Sequence, residues 1–292
     1  MDSMVIGMVL LSAFMHALRN FFNKKALDKQ IFMWWFEVFG LLFFTPVFFF
    51  AGHVQSALSS LSPLWILISG AVHFIYWFFL TKSLDKGDLS LVYPIMRSSP
   101  ALVLIFSLAL LGETISLLGV TGILLVAVGV YTIHMQHMGF QALAQPLRSI
   151  IRDRAVQFAF LTLLSVATYS IVDKIAVDSM DPVAFAYSYP WISLGLFTVY
   201  LSQTKTKSAV KREWQIHKGS ILICGILGIF GYFLILMALS MERVSYVVGL
   251  RQLSIVFAVF LGGHFLKESN RWIRMASSGV IFLGCYFIII AD

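Results

Sequence analysis

The hexapeptide Asn-Lys-Lys-Ala-Leu-Asp at residues 23–28 is followed 150 positions later by Asp-Lys-Ile-Ala-Val-Asp at residues 173–178. Further along, pairs of like residues recur at an offset of 155: Leu84 with Leu239, Ser90 with Ser245, Glu113 with Glu268, Gly129 with Gly284 and Tyr131 with Tyr286. Self-similarity at a fixed offset indicates an internal repeat. We therefore predict two homologous halves, residues 1–137 and 152–292, joined by a polar linker over residues 138–151.

Each half holds five apolar stretches that are long enough to cross a bilayer. Of the 292 residues, 59% are hydrophobic and 12% are charged, and the mean hydropathy is +0.88. A transmembrane helix needs about 20 mainly apolar residues, and ten stretches meet that requirement: 3–22, 31–52, 64–81, 89–111, 115–135, 155–172, 182–202, 219–240, 244–266 and 275–291. Strands of a membrane barrel are instead about 10 residues long and alternate in polarity. The composition predicts an all-α transmembrane protein and excludes a soluble receptor, and the pI near 9.4 reflects loop charge, not a nucleic-acid surface.

Five spans are an odd number, so the second half must enter the membrane with the opposite orientation from the first. The predicted fold is therefore two inverted five-helix repeats, related by an axis in the membrane plane, around a central cavity. That arrangement is typical of carriers that work by alternating access.

The distribution of basic residues predicts which loops face the cytoplasm. The loops after spans 1, 3, 5, 7 and 9 carry 16 Lys and Arg residues, whereas the opposite side carries Lys174 and Arg243. Because basic residues accumulate on the cytoplasmic side, we expect those loops in the cytoplasm and both termini outside. The expected location is the bacterial cytoplasmic (inner) membrane, as a multi-pass protein. Span 1 lacks the basic start and small-residue cleavage site of a secretory signal, so we expect it to be retained.

Four charged residues fall inside the predicted spans, where an ionised side chain needs a partner, water or a position inside the bundle. Two of them, Arg19 near the end of span 1 and Glu37 near the start of span 2, have similar depths in a helical hairpin at about 1.5 Å per residue. We expect these two side chains to form an ion pair. The alternative is that Glu37 carries the coupling proton of a transport cycle.

The other two, Arg97 and Arg251, are counterparts in the two repeats, because residues 93–97 align with residues 247–251 at an offset of 154. With Glu37 assigned to Arg19, no carboxylate is left for them inside a predicted span. Guanidinium groups bind carboxylate and phosphate through paired hydrogen bonds, so these arginines predict an anion site. In the alternative interpretation, they cap freed carbonyl groups or extend to the membrane interface.

Proline and glycine mark the helices whose backbone we expect to be irregular or closely packed. Pro94 and Pro100 in span 4 each remove a backbone donor, and Gly249 takes a comparable place in span 9. We expect both spans to bend and to open a cavity. Span 5 carries glycines that predict close helix packing: Gly119, Gly122 and Gly129.

Further polar and aromatic side chains are candidates for the same cavity, although each could also be structural. Helical spacing places them on shared faces: His16 with Asn20 in span 1, His73 with Tyr76 and Trp77 in span 3, Tyr93 one turn before Arg97, and Tyr169 and Tyr232 in the matching spans 6 and 8. Cys224 and Cys285 lie in apolar helices without a CxxC pattern or a nearby His. We expect them to be buried apolar side chains, with no metal site and no cofactor.

Four motifs at matching spacing run through nearly the whole chain: residues 10–20 followed by Lys24, residues 87–97 followed by Pro100, Leu111-Gly112-Glu113, and residues 250–254 followed by Leu266-Lys267-Glu268. Together they resemble the EamA-domain carriers of the drug/metabolite transporter superfamily. The resemblance implies a ten-helix basket in which helices 1–4 and 6–9 surround a central site and helices 5 and 10 lie outside. It also implies transport of small polar metabolites such as amino acids, amines, sugar nucleotides or phosphorylated compounds.

The predicted function is secondary active transport, by alternating access, of a small polar anionic or zwitterionic metabolite such as an amino acid or a phosphorylated or carboxylated compound. Arg97 and Arg251 would bind its acidic group alternately. The alternative is a flippase for a phosphate-bearing lipid headgroup. An enzyme is not expected, because the spans contain no HExxH, GxSxG or paired-Asp pattern. The expected partners are a small-molecule substrate and the lipid bilayer, with no nucleic acid, for a monomer or a weak homodimer.

Overall fold

The computed structural model describes residues 1–23, 26–50, 62–86, 89–133, 153–265 and 271–291. No strand occurs among them, and the helices follow the chain in this order: α1 Ser3–Asn23, α2 Lys29–Phe50, α3 Pro63–Lys86, α4a Leu89–Arg97, α4b Ser99–Phe106 with a π-helical turn Ser107–Leu111, α5 Leu117–Thr132, α6 Arg154–Ser179, α7 Pro182–Thr204, α8 Lys207–Met241, α9a Val244–Arg251, α9b Leu253–Phe265 and α10 Arg271–Ile289. The prediction of an all-α protein with ten spans is confirmed. The predicted linker over residues 138–151 lies outside the described residues.

Most of these helices have the length and composition of membrane spans. Seven described segments are long and apolar enough to cross a bilayer, and two further apolar helices, Leu117–Thr132 and Val244–Val259, are shorter. Large apolar side chains cover the outside of the bundle: Leu117 is 83% exposed, Trp272 82% and Phe50 90%. A surface of this kind is stable against hydrocarbon and unfavourable against water. The chain is a multi-pass membrane protein.

Eight of the ten spans form a closed ring, and two stand outside it. Neighbouring helices pack around the ring in the order α1, α8, α2, α7, α3, α6, α4, α9 and back to α1. The α5 and α10 helices pack on each other and on α4 and α9. When each helix of α1–α5 is replaced by its counterpart in α6–α10, and the reverse, the same ring results, read in the opposite direction. A repeat with inverted topology requires this symmetry. The basket that the family resemblance implies is confirmed.

Glycines let α5 and α10 touch backbone to backbone outside the ring. A Cβ atom on Gly122 would lie 2.7 Å from the Gly284 carbonyl oxygen, and one on Gly284 would lie 2.6 Å from the Gly122 carbonyl oxygen. A Cβ atom on Gly129 would meet a carbonyl oxygen of α10 at 2.9 Å. The predicted close packing of Gly122 and Gly129 is confirmed, while Gly119 makes room for the Tyr246 ring of α9a.

Span 4 breaks directly after Arg97, as its prolines predict. Ser98 leaves the helix, and its hydroxyl donates to the Pro94 carbonyl oxygen at 2.6 Å. Pro100 then stands in the first turn of α4b, where a missing backbone N–H costs nothing. Arg97 therefore ends a half-helix inside the membrane.

Span 9 breaks three residues after the glycine that the sequence singles out. Gln252 separates α9a from α9b, and its backbone N–H donates to the Gly249 carbonyl oxygen at 3.2 Å. Gly249 itself is helical, and a Cβ atom there would lie 2.7 Å from the Ile288 side chain of α10. The glycine serves helix packing, and the break follows Arg251 just as the break of span 4 follows Arg97. The predicted distortion of both spans is confirmed.

The Leu111-Gly112-Glu113 motif ends span 4 and caps the start of α9a. Gly112 has a φ of +64°, a left-handed conformation that favours glycine. The Glu113 carboxylate accepts the Val244 backbone N–H at 2.7 Å and the Ser245 hydroxyl at 2.6 Å. Because the first N–H groups of a helix lack intrahelical acceptors and carry partial positive charge, a carboxylate there is stabilising. The motif thus joins the two repeats at one membrane face.

Replacing Glu113 with alanine is expected to destabilise the protein by about 2 kcal/mol, because two hydrogen bonds to a charged acceptor are lost. Thermal unfolding in detergent micelles measures the effect. Glu242→Ala is the matched control, since the Glu242 carboxylate bonds the adjacent Arg243 backbone N–H at 2.9 Å, and its loss is expected to cost less than about 0.5 kcal/mol. Equal unfolding temperatures for the two variants would contradict the capping role.

The apolar core is continuous at one membrane face and divided at the other. We call the face that carries the α1–α2 turn and the loops rich in Lys and Arg the basic face. At the opposite face, one core joins the start of α1 at Val5, the end of α2 at Phe44 and the start of α7 at Phe185. At the basic face there are two smaller clusters, one on α2, α3, α7 and α8 around Phe32 and the other on α4a and α6 around Val92. Among the described residues, the packing inside the ring is therefore continuous toward one face and divided between two clusters toward the basic face.

Candidate functional site

A cavity at the centre of the ring consists of two adjoining chambers. The outer chamber has an empty volume of about 940 Å³, including its open mouth, and the inner chamber one of about 700 Å³. The outer chamber reaches Asn20 and Leu84, near the ends of α1 and α3 at the basic face.

The structure brings all twelve residues singled out from the sequence to this cavity. The outer chamber is lined by Arg97, Tyr93 and Asn20, the inner chamber by Glu37, His73 and Tyr232, and both by His16, Arg19, Tyr76, Trp77, Tyr169 and Arg251. They come from seven helices of the ring that hydropathy alone could not place side by side. Their part in substrate binding stays a prediction.

Three guanidinium groups lie in the cavity wall, each against an aromatic ring. The distance from the arginine Cζ atom to the ring centre is 5.1 to 5.9 Å in these pairs: Arg251 on Tyr232, Arg19 on Phe36 and Arg97 on Tyr93. Contact with the face of an aromatic ring within about 6 Å stabilises a cation. No ion pair to the three arginines occurs within the described part of the chain.

The expected ion pair between Arg19 and Glu37 is not formed between these two described side chains. Both line the inner chamber, but the Arg19 guanidinium lies over the ring of Phe36, the residue before Glu37. The Oε2 atom of Glu37 is buried and has no hydrogen-bond partner. A buried acceptor without a partner costs about 1–3 kcal/mol, so this oxygen is ready to accept a donor that enters the chamber.

A buried carboxylate that the predicted spans leave in a loop lies behind the inner chamber. Helix α6 continues to Ser179, well past the predicted end of span 6 at residue 172, and Asp173 has none of its surface exposed. The turn is marked instead by Asp181, whose side chain caps α7, and by Pro182 in the first turn. This capping signal was present in the sequence and outweighs the polarity of residues 173–178. The expectation that no further carboxylate stands inside a span is wrong.

Side chains from two other helices hold Asp173. The Ser69 hydroxyl of α3 donates to its Oδ1 atom at 2.6 Å, and the Tyr232 hydroxyl of α8 donates to Oδ2. The His73 Nε2 atom of α3 is 3.7 Å from the same Oδ2. Since the ring of Tyr232 also lies under the Arg251 guanidinium, this tyrosine connects the carboxylate with the cavity. We call Asp173, Ser69, His73 and Tyr232 the Asp173 cluster.

Tyrosine rings enclose the imidazole of His73. The ring of Tyr169 stacks on it with centres 4.3 Å apart, and that of Tyr189 lies 4.7 Å away on α7. Tyr189 lines the inner chamber and is absent from the sequence-predicted set, because nothing in the aromatic pattern of α7 distinguishes it from a packing residue. These contacts fix the orientation of the imidazole toward Asp173.

The charges in and around the cavity do not balance. Arg19, Arg97 and Arg251 carry three positive charges, whereas Glu37 and Asp173 carry at most two negative charges among the described residues of this region. In surroundings of low dielectric constant the field of the excess charge is strong. The carboxyl group of Asp173 reduces the excess positive charge but does not cancel it. The cavity therefore attracts an anion or the acidic group of a zwitterion.

The two cysteines play no part in the cavity wall. Cys224 and Cys285 are buried, as expected, with Sγ atoms 3.6 Å and 3.9 Å from the carbonyl oxygens of Arg19 and Gly249. No group of three or more His, Cys, Asp or Glu side chains that could hold a metal ion occurs in the stretches that the structure describes.

Comparisons with known proteins point to one family and one fold. The family model described as "EamA-like transporter family" matches residues 3–135 and, a second time, residues 153–290. A solved structure described as "Crystal structure of protein" aligns with a TM-score of 0.77 at 15% identity, over 100% of this chain and 99% of that chain. At this identity the similarity shows the fold alone. No curated protein has a significant match to the sequence.

Proposed function

Because the chain belongs to the EamA-like transporter family, we propose that it is a secondary active transporter that moves a small anionic or zwitterionic metabolite across the cytoplasmic membrane. The observation that carries this proposal is the central cavity, whose wall holds three guanidinium groups and the carboxyl group of Glu37, with the carboxyl group of Asp173 behind it. Amino acids and small carboxylated or phosphorylated compounds have the matching charge.

Arg251 and Arg97 bind the acidic group of the substrate. Arg251 lines both chambers and Arg97 lines the outer one. The planar guanidinium presents paired N–H donors that fit the two oxygens of a carboxylate or phosphate. If the substrate also carries an ammonium group, Oε2 of Glu37 in the inner chamber supplies an acceptor that lacks a partner.

Alternating access follows from the broken spans and the inverted repeat. The breaks after Arg97 and Arg251 allow α4a and α9b to move relative to α4b and α9a. The outer chamber reaches toward the basic face, which the loop charges predict to be cytoplasmic, and the continuous core lies on the other side of the cavity. Exchanging the conformations of the two repeats produces the state that opens on the opposite side.

Counterflow in proteoliposomes tests the proposal. Vesicles are loaded with a pool of amino acids, of small carboxylates or of sugar phosphates and diluted into a radiolabelled trace of the same pool. The wild-type protein is expected to accumulate label from at least one pool. The double variant Arg97→Ala/Arg251→Ala is expected to match protein-free vesicles. The control Arg154→Ala/Arg212→Ala removes two exposed arginines outside the cavity and is expected to keep the wild-type rate.

Two results would contradict this assignment. Equal counterflow by the two double variants would remove the anion site from the mechanism. Absence of counterflow with every pool, together with movement of a fluorescent phospholipid between leaflets, would favour the flippase for a phosphate-bearing headgroup.

A further inference from the structure

The Asp173 cluster is a buried titratable group that the proposed anion site does not use. The helices α3, α4a, α4b, α7, α8 and α9a pack against α6. The titratable or charged side chains that face it are His73 from α3, Tyr169 from α6 itself, Tyr189 from α7, Tyr232 from α8 and Arg251 from α9a, with Arg97 of α4a beyond Tyr169. Of these, Arg251 is a permanent charge next to the cluster. A proton gained or lost by the cluster therefore changes the charge beside the anion site.

Hydrogen bonding assigns the single proton of a neutral His73 ring to Nδ1. This nitrogen lies 2.9 Å from the Ser69 carbonyl oxygen, which can only accept a hydrogen bond. The Ser69 hydroxyl lies 3.3 Å from the same nitrogen, but its proton is donated to Asp173. Nε2 therefore carries a lone pair, is buried without a hydrogen-bond partner, and faces the Oδ2 atom of Asp173 at 3.7 Å.

Nε2 of His73 is a buried acceptor that stays unsatisfied until a proton binds it, and Oδ2 of Asp173, which already accepts the Tyr232 hydroxyl, has a further lone pair that faces this nitrogen. We propose that the His73–Asp173 pair binds one proton and that this proton is the coupling ion of the carrier, an inference that rests on the proposed function. The proton arrives from the side to which the cavity is open, binds Nε2 of His73, and leaves the same atom when the other side opens. No other bond forms or breaks, and the bound form is an imidazolium paired with a carboxylate.

Tyr232 couples the proton to the substrate. Its hydroxyl bonds Asp173, and its ring lies 5.1 Å from the Cζ atom of Arg251. Without the proton, the negative charge of Asp173 offsets the field of Arg251 and repels an anion. With the proton, that charge is cancelled and the anion binds more tightly, and by linkage the anion strengthens proton binding equally. The carrier therefore works as a symporter of a proton with an anionic or zwitterionic metabolite.

Proton uptake by the purified full-length protein tests the site without a substrate. An acid pulse is given to the protein in weakly buffered detergent, and a pH-sensitive dye counts the protons taken up. The wild type is expected to take up one proton per molecule more than Asp173→Asn. Ser165→Ala, which removes a buried hydroxyl of the same helix bonded to its own backbone, is expected to match the wild type. Equal uptake by wild type and Asp173→Asn would overturn the proposal.

Proton influx during transport tests the coupling. Proteoliposomes with trapped pyranine and a potassium–valinomycin clamp receive the pool that gives counterflow, at equal pH on both sides. The wild type is expected to acidify the interior. In Asp173→Asn and in His73→Gln, both signals are compared with those of the wild type, and acidification is expected to fall by a factor at least ten times larger than the factor by which counterflow falls.

The outcomes separate this inference from the proposed function. Acidification and counterflow that fall in parallel in both variants would overturn the coupling role and leave the transport function in place. Failure of the wild type to give counterflow with any pool would overturn the transport function, while the proton count still decides whether the pair binds a proton.

Discussion

Arg251→Ala is expected to lower the rate of counterflow about a hundredfold, more than any other single change in the cavity wall. Truncating one partner of a buried charged hydrogen bond costs about 2–5 kcal/mol, and each 1.4 kcal/mol is about tenfold. Arg251 lines both chambers and lies over Tyr232. Arg97 lines the outer chamber alone, so Arg97→Ala is expected to lower the rate about tenfold.

Conservative and remote variants separate geometry from charge in this prediction. Arg251→Lys keeps the charge but loses the planar fork and the contact with the Tyr232 ring, so an intermediate loss of about tenfold is expected. Arg154→Ala removes one exposed arginine from the start of α6 and is expected to stay within about twofold of wild type. A wild-type rate for Arg251→Ala, measured by radiolabel uptake at equal protein density, would show that this side chain does not bind the substrate.

Gly284→Leu is expected to prevent α5 and α10 from packing and to destabilise the protein by about 3 kcal/mol or more. A Cβ atom at this position would lie 2.6 Å from the Gly122 carbonyl oxygen and 2.8 Å from the Val126 backbone nitrogen. Both are backbone atoms of α5, so the helices must separate to admit the side chain, and overpacking of this kind is costly. Within the bilayer, close packing holds the two helices together. The hydrophobic effect does not stabilise their contact, because the lipid tails around them are as apolar as the helix surfaces.

Gly279→Leu on the same helix is the matched control. A Cβ atom on Gly279 meets nothing within 4 Å, and a leucine there would face lipid, so a change below about 0.5 kcal/mol is expected. The measurement is thermal unfolding of both variants in detergent, with the yield of monodisperse protein by size-exclusion chromatography. Equal stability of the two variants would refute the packing role of Gly284.

Much of this protein could be predicted from its sequence because the controlling physics is local or symmetric. A bilayer demands about 20 apolar residues for each helix, so the ten spans are readable from hydropathy. The odd number of spans in each repeat imposes the inversion without any knowledge of contacts. Polar groups on apolar spans avoid lipid, which explains why His16, Arg97 and Arg251 all reach the central cavity.

Other features depended on neighbours that are distant in sequence. Asp173 has the sequence surroundings of a loop residue, and it is buried because α6 runs on to the Asp181 cap of α7 and because Ser69 and Tyr232 supply its donors. Likewise, Arg19 lies on Phe36 instead of pairing with Glu37, since side-chain direction and not depth alone decides a contact.

The sequence by itself therefore determined the class of fold, the inverted repeat and twelve of the side chains that line the cavity, since insertion into lipid sorts residues by polarity segment by segment. Only the tertiary structure decided where span 9 breaks, that Glu113 caps the opposite repeat, and that a buried carboxylate, Asp173, stands behind Tyr232. The physical reason is that hydrogen bonds and helix contacts join residues from separate spans, and their partners become known when the spans are packed.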